Sequence, residues 1–399
     1  MNKKLGLAVA GAVLAFGASA ANAGIIIPAG DWTIDIGGNV NAYYTNTRYS
    51  GDLFRGANGT NGDNNQISTG LLPSAIGIGG KTRQNDLDIA FQFTFFTGVN
   101  GGDGVRQSSG NDYNSINVRQ AYLTFGDASW GTIKAGRDLG LFGSDAILSD
   151  MTLLGVGVGG GRAGNSTLGR IGSGYVYADW IGQIQYASPN WNGFSFAVAA
   201  REGLTNDTAT SIDQKTELGF DGKVSYEWAG DVSGKVWAGF ISQKHNGATV
   251  GGVTVDDYRT TGWDLGAKAN VADFGLVGYY YSGRGLGDGL QLSHALSTSY
   301  GVATVDGKSK DKGGYLQATY KLPEVGTKLG VSYGITKSDG RNNSADYENK
   351  SWIVGAYHPL TKSLNLVAEY AHQKIEVDTA AANTDGKAKT ISLGAILFF

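Results

Sequence analysis

Read at a period of two residues, the stretch from Lys215 to Trp228 separates into two faces. Leu218, Phe220, Val224, Tyr226 and Trp228 fall on one, and Lys215, Glu217, Asp221, Lys223, Ser225 and Glu227 fall on the other. Successive side chains of a strand point to opposite sides, so the segment reads as a strand between an apolar and an aqueous phase. The pattern returns as Leu87, Ile89, Phe91, Phe93 and Phe95 against Asp86, Asp88, Gln92 and Thr94. It recurs as Leu316, Ala318, Tyr320 and Leu322 against Tyr315, Gln317, Thr319 and Lys321, and as Leu329, Val331, Tyr333 and Ile335 against Lys328, Ser332 and Thr336. At the far end Ile391, Leu393, Ala395, Leu397 and Phe399 share a face up to the last residue. Chain ends fray unless something ties them down, so this strand needs an apolar neighbour.

The alternation predicts sixteen strands, near 32–45, 70–83, 86–97, 115–126, 130–138, 176–188, 193–202, 214–229, 232–244, 258–272, 274–284, 312–322, 327–338, 347–359, 363–376 and 389–399. The two faces separate poorly at 70–83 and 274–284. Connections alternate between very short (Gln84-Asn85, Asp127-Ala128-Ser129, Gly230-Asp231, the surroundings of Thr361) and long (46–69, 98–114, 139–175, 203–213, 245–257, 285–311, 339–346, 377–388). An up-and-down barrel with two unlike rims gives this layout. Pro189, Pro323 and Pro359 fall in or beside short turns, where a missing N–H costs no ladder bond. An even strand count returns both termini to one rim, so the strand ending at Phe399 has to pair with the one near Trp32. Alternation alone leaves a soluble sandwich open.

The N-terminus decides between them. Lys3 and Lys4 precede an apolar run from Leu5 to Ala21, and Ala21-Asn22-Ala23 has the form of a cleavage site. Residues 1–23 therefore read as a signal peptide and 24–399 as one barrel domain. The run is shorter than the roughly 20 apolar residues of a spanning helix, and no later segment approaches that length, so an exported chain that meets a membrane crosses it as strands. Composition agrees: 64 Gly, 20 Tyr, 5 Pro and no Cys suit strands and turns held by hydrogen bonds. Trp32, Trp130, Trp191 and Trp228 stand near predicted strand ends, where interfacial aromatics belong. Sixteen strands enclose a lumen too wide for side chains to fill. The 32 basic and 35 acidic residues are dispersed, which argues against a nucleic-acid partner; loss of Lys3 and Lys4 leaves the balance more acidic still.

Two passages resemble the Gram-negative general porins, the trimeric sixteen-stranded outer-membrane diffusion channels. One is Arg119-Gln120-Ala121-Tyr122-Leu123-Thr124-Phe125-Gly126 with Asp127-Ala128-Ser129-Trp130-Gly131-Thr132-Ile133-Lys134-Ala135-Gly136-Arg137-Asp138; the other is Tyr186-Ala187-Ser188-Pro189-Asn190-Trp191-Asn192-Gly193-Phe194. With the terminal Phe399, which the assembly machinery reads in that family, the likeness in layout spans the mature chain. It implies a homotrimer among outer-membrane lipid and lipopolysaccharide that passes ions and small hydrophilic solutes. It also implies that the third loop, Leu139 to about Tyr175, folds into the lumen with acids facing basic wall residues. The candidates for that constriction are Arg119, Arg137, Asp138, Asp145, Asp150, Arg162 and Arg170, with Arg119 and Arg170 resembling wall cations and Asp150 a loop carboxylate. Asn39 and Ala75 stand where some members carry wall cations, and Leu154 where some carry a second acid. The run Leu154–Gly161 is apolar and Gly-rich instead. Together with the acidic balance this implies weak selectivity, mild and toward cations.

Other classes find less support. An enzyme needs a nucleophile and a base at one spot; the four histidines are His245, His294, His358 and His372, and Ser293-His294 are merely adjacent. No Cys and no close His pair point to a metal or other cofactor, and 58–65 lacks the ligand order of a calcium loop. A substrate-specific channel for a sugar or organic anion could use Tyr279-Tyr280-Tyr281, at least one of which must face away from the lumen. An adhesin or phage receptor would use the long loops 46–69 and 285–311.

Overall fold

Each predicted strand pairs antiparallel with its neighbours. The computed structural model describes residues 24–55, 62–99, 116–158, 162–163, 166–203, 217–246, 249–250, 253–254, 257–287, 292, 309–339, 346–379 and 382–399. Sixteen staves form the wall: β1 Trp32–Ser50, β2 Ser74–Gln84, β3 Leu87–Thr97, β4 Asn117–Asp127, β5 Gly131–Leu139, β6 Trp180–Ala187, β7 Phe194–Arg201, β8 Gly219–Trp228, β9 Val232–His245, β10 Tyr258–Val271, β11 Phe274–Arg284, β12 Lys310–Lys321, β13 Lys328–Asp339, β14 Asp346–Pro359, β15 Leu364–Asp378 and β16 Asn383–Phe398. β16 pairs back onto β1, from Asn39↔Phe398 to Ser50↔Lys387, and the sheet closes. Seven connections are short turns. The 85–86 turn places Asn85 and Asp86 at φ 46° and 62°, the left-handed pair that a tight hairpin requires. The alternation of faces and the turn chemistry therefore located every stave.

The outward face is apolar: Ile76, Ile78, Phe93, Leu123, Val198, Leu265, Leu276, Leu316, Val331 and Leu393 are all exposed. Inward positions carry Thr94, Gln120, Lys134, Gln183, Asp221, Asp264, Gln317, Ser351 and Glu369, all buried. This is the reverse of a soluble sandwich, so the apolar band faces lipid. Aromatics flank it. Trp130 and Trp191 lie at the short-turn rim, and Trp263 with Tyr280 and Trp352 with Tyr370 lie toward the other end.

The sequence reading is corrected in three places. A short strand, Asp63–Ser68, pairs with the upper half of β1 inside the segment expected to be loop, and β2 starts only at Ser74 because residues 69–73 leave the ladder. A second short strand, Ile25–Ala29, precedes β1 and pairs with it from Ile25↔Ile36 to Ala29↔Trp32. β15 and β16 also run longer than expected, to Asp378 and from Asn383, and Thr379 N donates to Ala382 O at 3.0 Å beyond their ends.

Phe399 completes the seam. Gly38 N donates to Phe399 O (2.8 Å) and Phe399 N to Gly38 O (3.1 Å). The Phe399 ring lies where a Gly38 side chain would start, 2.7 Å from such a Cβ, which would also meet Ala75 O at 2.3 Å. Deleting Phe399 removes both hydrogen bonds and the ring. The expected result is a several-fold lower yield of folded, membrane-inserted protein by gel mobility, with unchanged conductance for what does insert; equal losses in both would contradict the assignment.

Candidate functional site

The segment 140–179 connects β5 and β6, and its described residues lie against the inner wall. It opens with a short helix, α1 Ser144–Leu148, followed by a 3-10 turn at Met151–Leu154. Gly143 enters α1 with φ 78°. Gly-rich sequence disfavours long helix, so most of the segment is irregular and its backbone amides need acceptors.

The inner wall supplies them. Asp221 Oδ2 on β8 accepts from Leu141 N and Phe142 N (3.2 and 3.4 Å). Asp264 Oδ2 on β10 accepts from Gly143 N at 3.0 Å. On β12, Gln317 accepts from Met151 N (2.8 Å) and donates to Ser149 O (3.0 Å), while Tyr315 donates to Ala146 O at 2.8 Å. Glu369 Oε2 on β15 accepts from Val156 N and Gly157 N (2.9 and 2.8 Å), and Tyr357 donates to its Oε1 at 2.7 Å. Tyr43 on β1 reaches Leu154 O at 2.6 Å. The return run is held at β14, where Asn349 donates to Gly172 O (2.8 Å) and Arg170 to Ser351 Oγ (3.1 Å). Leu71, Phe142, Met151, Val156, Leu168, Ile171, Tyr175, Tyr315 and Tyr357 pack between segment and wall, so the apolar core lies inside the barrel.

Glycine permits the tightest contact. A Cβ on Gly155 would stand 2.1 Å from Glu369 Oε1, and one on Gly70 would stand 2.1 Å from Gly155 O. Leu71 N donates to that same Gly155 O at 2.9 Å. This accounts for residues 69–73 leaving the ladder of β2: they turn inward to hold the segment. Asn41 knits the break, accepting from Gly70 N at 3.0 Å and donating to Leu72 O (2.9 Å) and Asn39 Oδ1 (2.8 Å). Asn39 and Ala75, which stand where the likeness sets wall cations in some members, are register partners in this neutral patch.

The sequence candidates do not form one cluster. Asp145 on α1 lies between two wall ammoniums, Lys223 Nζ and Lys235 Nζ, each at 2.7 Å. Burial pushes its carboxyl up, but the two ammoniums outweigh burial and hold it well below the usual carboxylate range. Asp150 caps the 3-10 turn, accepting from Thr152 N (2.9 Å), Thr152 Oγ1 (2.7 Å) and Tyr175 OH (2.8 Å). It is 4 % exposed and holds the segment together. Asp138 is inward on β5, paired with Lys134 and accepting from Gln120 at 2.9 Å. Arg119 sits in the bulge between β3 and β4, which turns its guanidinium over inward-facing Phe96, 4.9 Å from the ring centre.

Two placements correct the expectation. Arg137 is on the outward row with Ala121 and Gly182, bonded to Trp180 O at 2.8 Å, because its parity on β5 matches Ile133 and Ala135. Arg170 belongs to the inner segment, not the wall, and is fully buried; burial pushes its guanidinium down and the Asp150 carboxylate opposes that. Arg162 pairs through its backbone with Thr167, and its side chain lies outside the described residues, as do Ser293, His294 and residues 58–61. Sequence reasoning missed Asp264, Glu369, Lys235 and the tethering role of Asp221. Their signal was an ionisable residue midway along a strand on its polar face.

A family model described as Gram-negative porin matches residues 8–378. Among solved structures, the outer membrane channel DcaP of Acinetobacter baumannii is similar with a TM-score of 0.67 at 17% identity, covering 94% of this chain and 100% of that one. Salmonella typhi OmpF in complex with daunomycin gives 0.57 at 18%, covering 93% and 100%. The trimer form of Vibrio cholerae OmpT, an outer membrane protein, gives 0.54 at 16%, covering 92% and 99%. No curated protein sequence matches.

Substituting Gly155→Ala drives a methyl into the Glu369 carboxylate and is expected to detach Leu154–Gly157 from the wall, raising single-channel conductance. Glu369→Leu removes three hydrogen bonds, from Val156 N, Gly157 N and Tyr357 OH, each worth roughly 1 kcal/mol, and should do the same. Glu369→Gln keeps an acceptor and should stay near wild type. Unchanged conductance in the first two would contradict the tether. A second expectation concerns pH. The Asp145 carboxyl is depressed, so its contact is complete above the ordinary carboxylate range near ~4 and is lost only as pH falls below that. Amide exchange of Ser144–Leu148 should therefore be faster in Asp145→Asn than in wild type from neutral pH down to about 4, with the difference shrinking below.

Proposed function

We infer, from the premise that this chain belongs to the Gram-negative porin family, that the inner segment narrows its channel and leaves it weakly selective. The protein is an outer-membrane channel for passive diffusion, a closed sixteen-stranded barrel. A water-filled lumen lets small hydrophilic solutes cross without entering hydrocarbon. The observation that carries the constriction is the series of hydrogen bonds that the segment's backbone N–H groups donate to Asp221, Asp264, Gln317 and Glu369, which supports a fixed narrowing. The half-buried side chains of Ile147, Leu148, Leu153 and Leu154 would give its rim an apolar lip.

The sign of selectivity follows from which charges remain available. Buried wall acids are engaged with amides or cations: Asp138, Asp221, Asp264 and Glu369 are at most 4 % exposed. Inward-pointing Lys81, Lys268 and Lys328 have no ion-paired carboxylate among the described residues, and Lys328 Nζ rests over the Tyr357 ring at 5.1 Å. Of the inward acids, Asp35 is exposed, while Glu227 faces Lys235 at 3.2 Å. The described lumen is therefore mildly cationic although the chain is acidic, and the proposal is a weak preference for anions, the reverse of what composition implied.

The signal peptide 1–23, a homotrimer like the trimer form of OmpT, recognition of Phe399 by the assembly machinery, and contact with lipopolysaccharide belong to this same reading. No catalytic role is proposed: His245 bonds Thr260 at 2.9 Å, His358 bonds Thr327 at 2.9 Å and His372 accepts from Trp352 at 3.1 Å. A sugar track over Tyr279–Tyr281 gains no support. Tyr280 faces outward, and Tyr279 and Tyr281 are 5 % and 0 % exposed.

Reversal potentials under a potassium chloride gradient test the sign. Wild type should favour chloride modestly, and more at 0.1 M than at 1 M salt, where screening shortens from about 10 Å to about 3 Å. Replacing Lys81, Lys268 and Lys328 together by Glu should reverse the preference. Cation preference in wild type, or no shift in the variant, would overturn the assignment.

A further inference from the structure

Proline has no N–H to give a ladder and holds the residue before it extended, so Leu72-Pro73 interrupts the wall where it stands. Between Asn39 and Tyr43 on β1 lie three residues, whereas between their partners Ala75 and Ser68 lie six. The excess leaves the sheet as an inward strap, residues 69–73. It is not slack: Leu71 and Leu72 are buried in the core inside the barrel, and Asn41 bonds both ends of the break.

The strap grips both runs of the inner segment at once. Leu71 N donates to Gly155 O on the outgoing run (2.9 Å), and Thr167 N on the return run donates to Gly70 O (3.1 Å). The two runs also bond each other, Val158 N to Gly169 O at 3.0 Å and Thr167 Oγ1 to Val156 O at 2.6 Å. Packing is equally close. A Cβ on Gly169 would stand 2.4 Å from Leu71 Cδ2, and one on Gly157 would stand 2.4 Å from Gly169 Cα. Leu71, Gly169 and Gly157 therefore form a stack without spare room, and both glycines have positive φ, 56° and 69°. At Asp221, Asp264, Gln317 and Glu369 the segment is held by wall side chains; here it rests on wall backbone and one leucine. The half-buried Leu153 and Leu154 directly precede the Gly155 that the strap holds, so the thickness of the stack is passed to that lip.

We propose that the strap is a spacer and Leu71 a positioning residue for permeation: its bulk sets how far the Leu153–Leu154 lip stands into the lumen, and so the largest solute that passes. The inference rests on the reading that the segment narrows the channel. Removing buried atoms lets the surroundings settle into part of the space, and adding them forces backbone to shift; neither change at Leu71 touches the Glu369 tether. Single-channel conductance of the reconstituted protein, recorded with neutral polyethylene glycols of graded mass, provides the test. Leu71→Ala should raise conductance by about half and admit longer polymers than wild type. Leu71→Phe should lower conductance by a similar factor and exclude polymers that wild type admits, while Leu71→Met, a volume-conserving change, should match wild type. A leucine that merely stabilised the fold would change the yield of folded protein and leave the exclusion limit where it was. Should Leu71→Phe fail to fold by gel mobility, the order of Ala above Met and wild type decides. An unmoved exclusion limit in folded Leu71→Ala, or a limit that Ala and Phe move in the same direction, would overturn the proposal. Glu369→Leu, recorded alongside, separates the two readings: if it alone raises conductance, the constriction stands and the spacer falls, and if it too has no effect, both fall.

Discussion

A run of backbone inside a barrel brings amide groups that cannot be left without partners, and the interior of this protein is organised around that constraint. The wall answers with carboxylates and amides set on inward positions of strands distant in sequence: Asp221, Asp264, Gln317, Asn349 and Glu369. Because the segment is held through its main-chain N–H and C=O groups, it needs little side-chain chemistry of its own, and the Leu154–Gly161 run can be apolar and Gly-rich. The expected pairing of loop acids with wall bases is met only at Asp145, between Lys223 and Lys235. Elsewhere among the described residues, wall carboxylates accept from segment amides, while wall Tyr43, Tyr315, Gln317 and Asn349 donate to segment carbonyls.

The same constraint shapes the wall. β2 breaks at residues 69–73 so that Leu71 and Gly70 can reach Gly155, and Asn39 with Asn41 repair the break with neutral hydrogen bonds. Cations at those positions would have had to share a buried site with the Gly155 carbonyl and Tyr43, whose ring is 1 % exposed. Charge is thereby sorted by depth. Asp221, Asp264 and Glu369 hold backbone amides at depth, so they are not free to face the lumen.

How much was legible depended on how local the determinant is. Strand number and turn position rest on two-residue alternation and a few turn residues, and these survive into the structure with only end shifts. Arg137 was also legible: it shares parity with Ile133 and Ala135, and the family likeness alone drew it toward the lumen. Arg119 was not, since alternation sends it outward and only the bulge at Thr94/Phe95 returns it to Phe96. Glu369 and Asp264 were visible as polar-face residues, but nothing nearby in sequence announces a partner two strands or half a barrel away.

The bond from Val156 N to Glu369 spans 213 positions, and that joining Thr47 to Thr390 spans 343. Contacts so remote form late, because loop closure precedes any reward. The inner segment emerges with β5 and β6, yet its anchors lie on β8, β10, β12, β14 and β15 and on the seam strand β1. It cannot be fixed in place while the sheet is open. Curling of the sheet and settling of the segment are therefore one kinetic event: a partly zipped sheet has no finished aperture, and the passage acquires its bore only when the wall becomes whole.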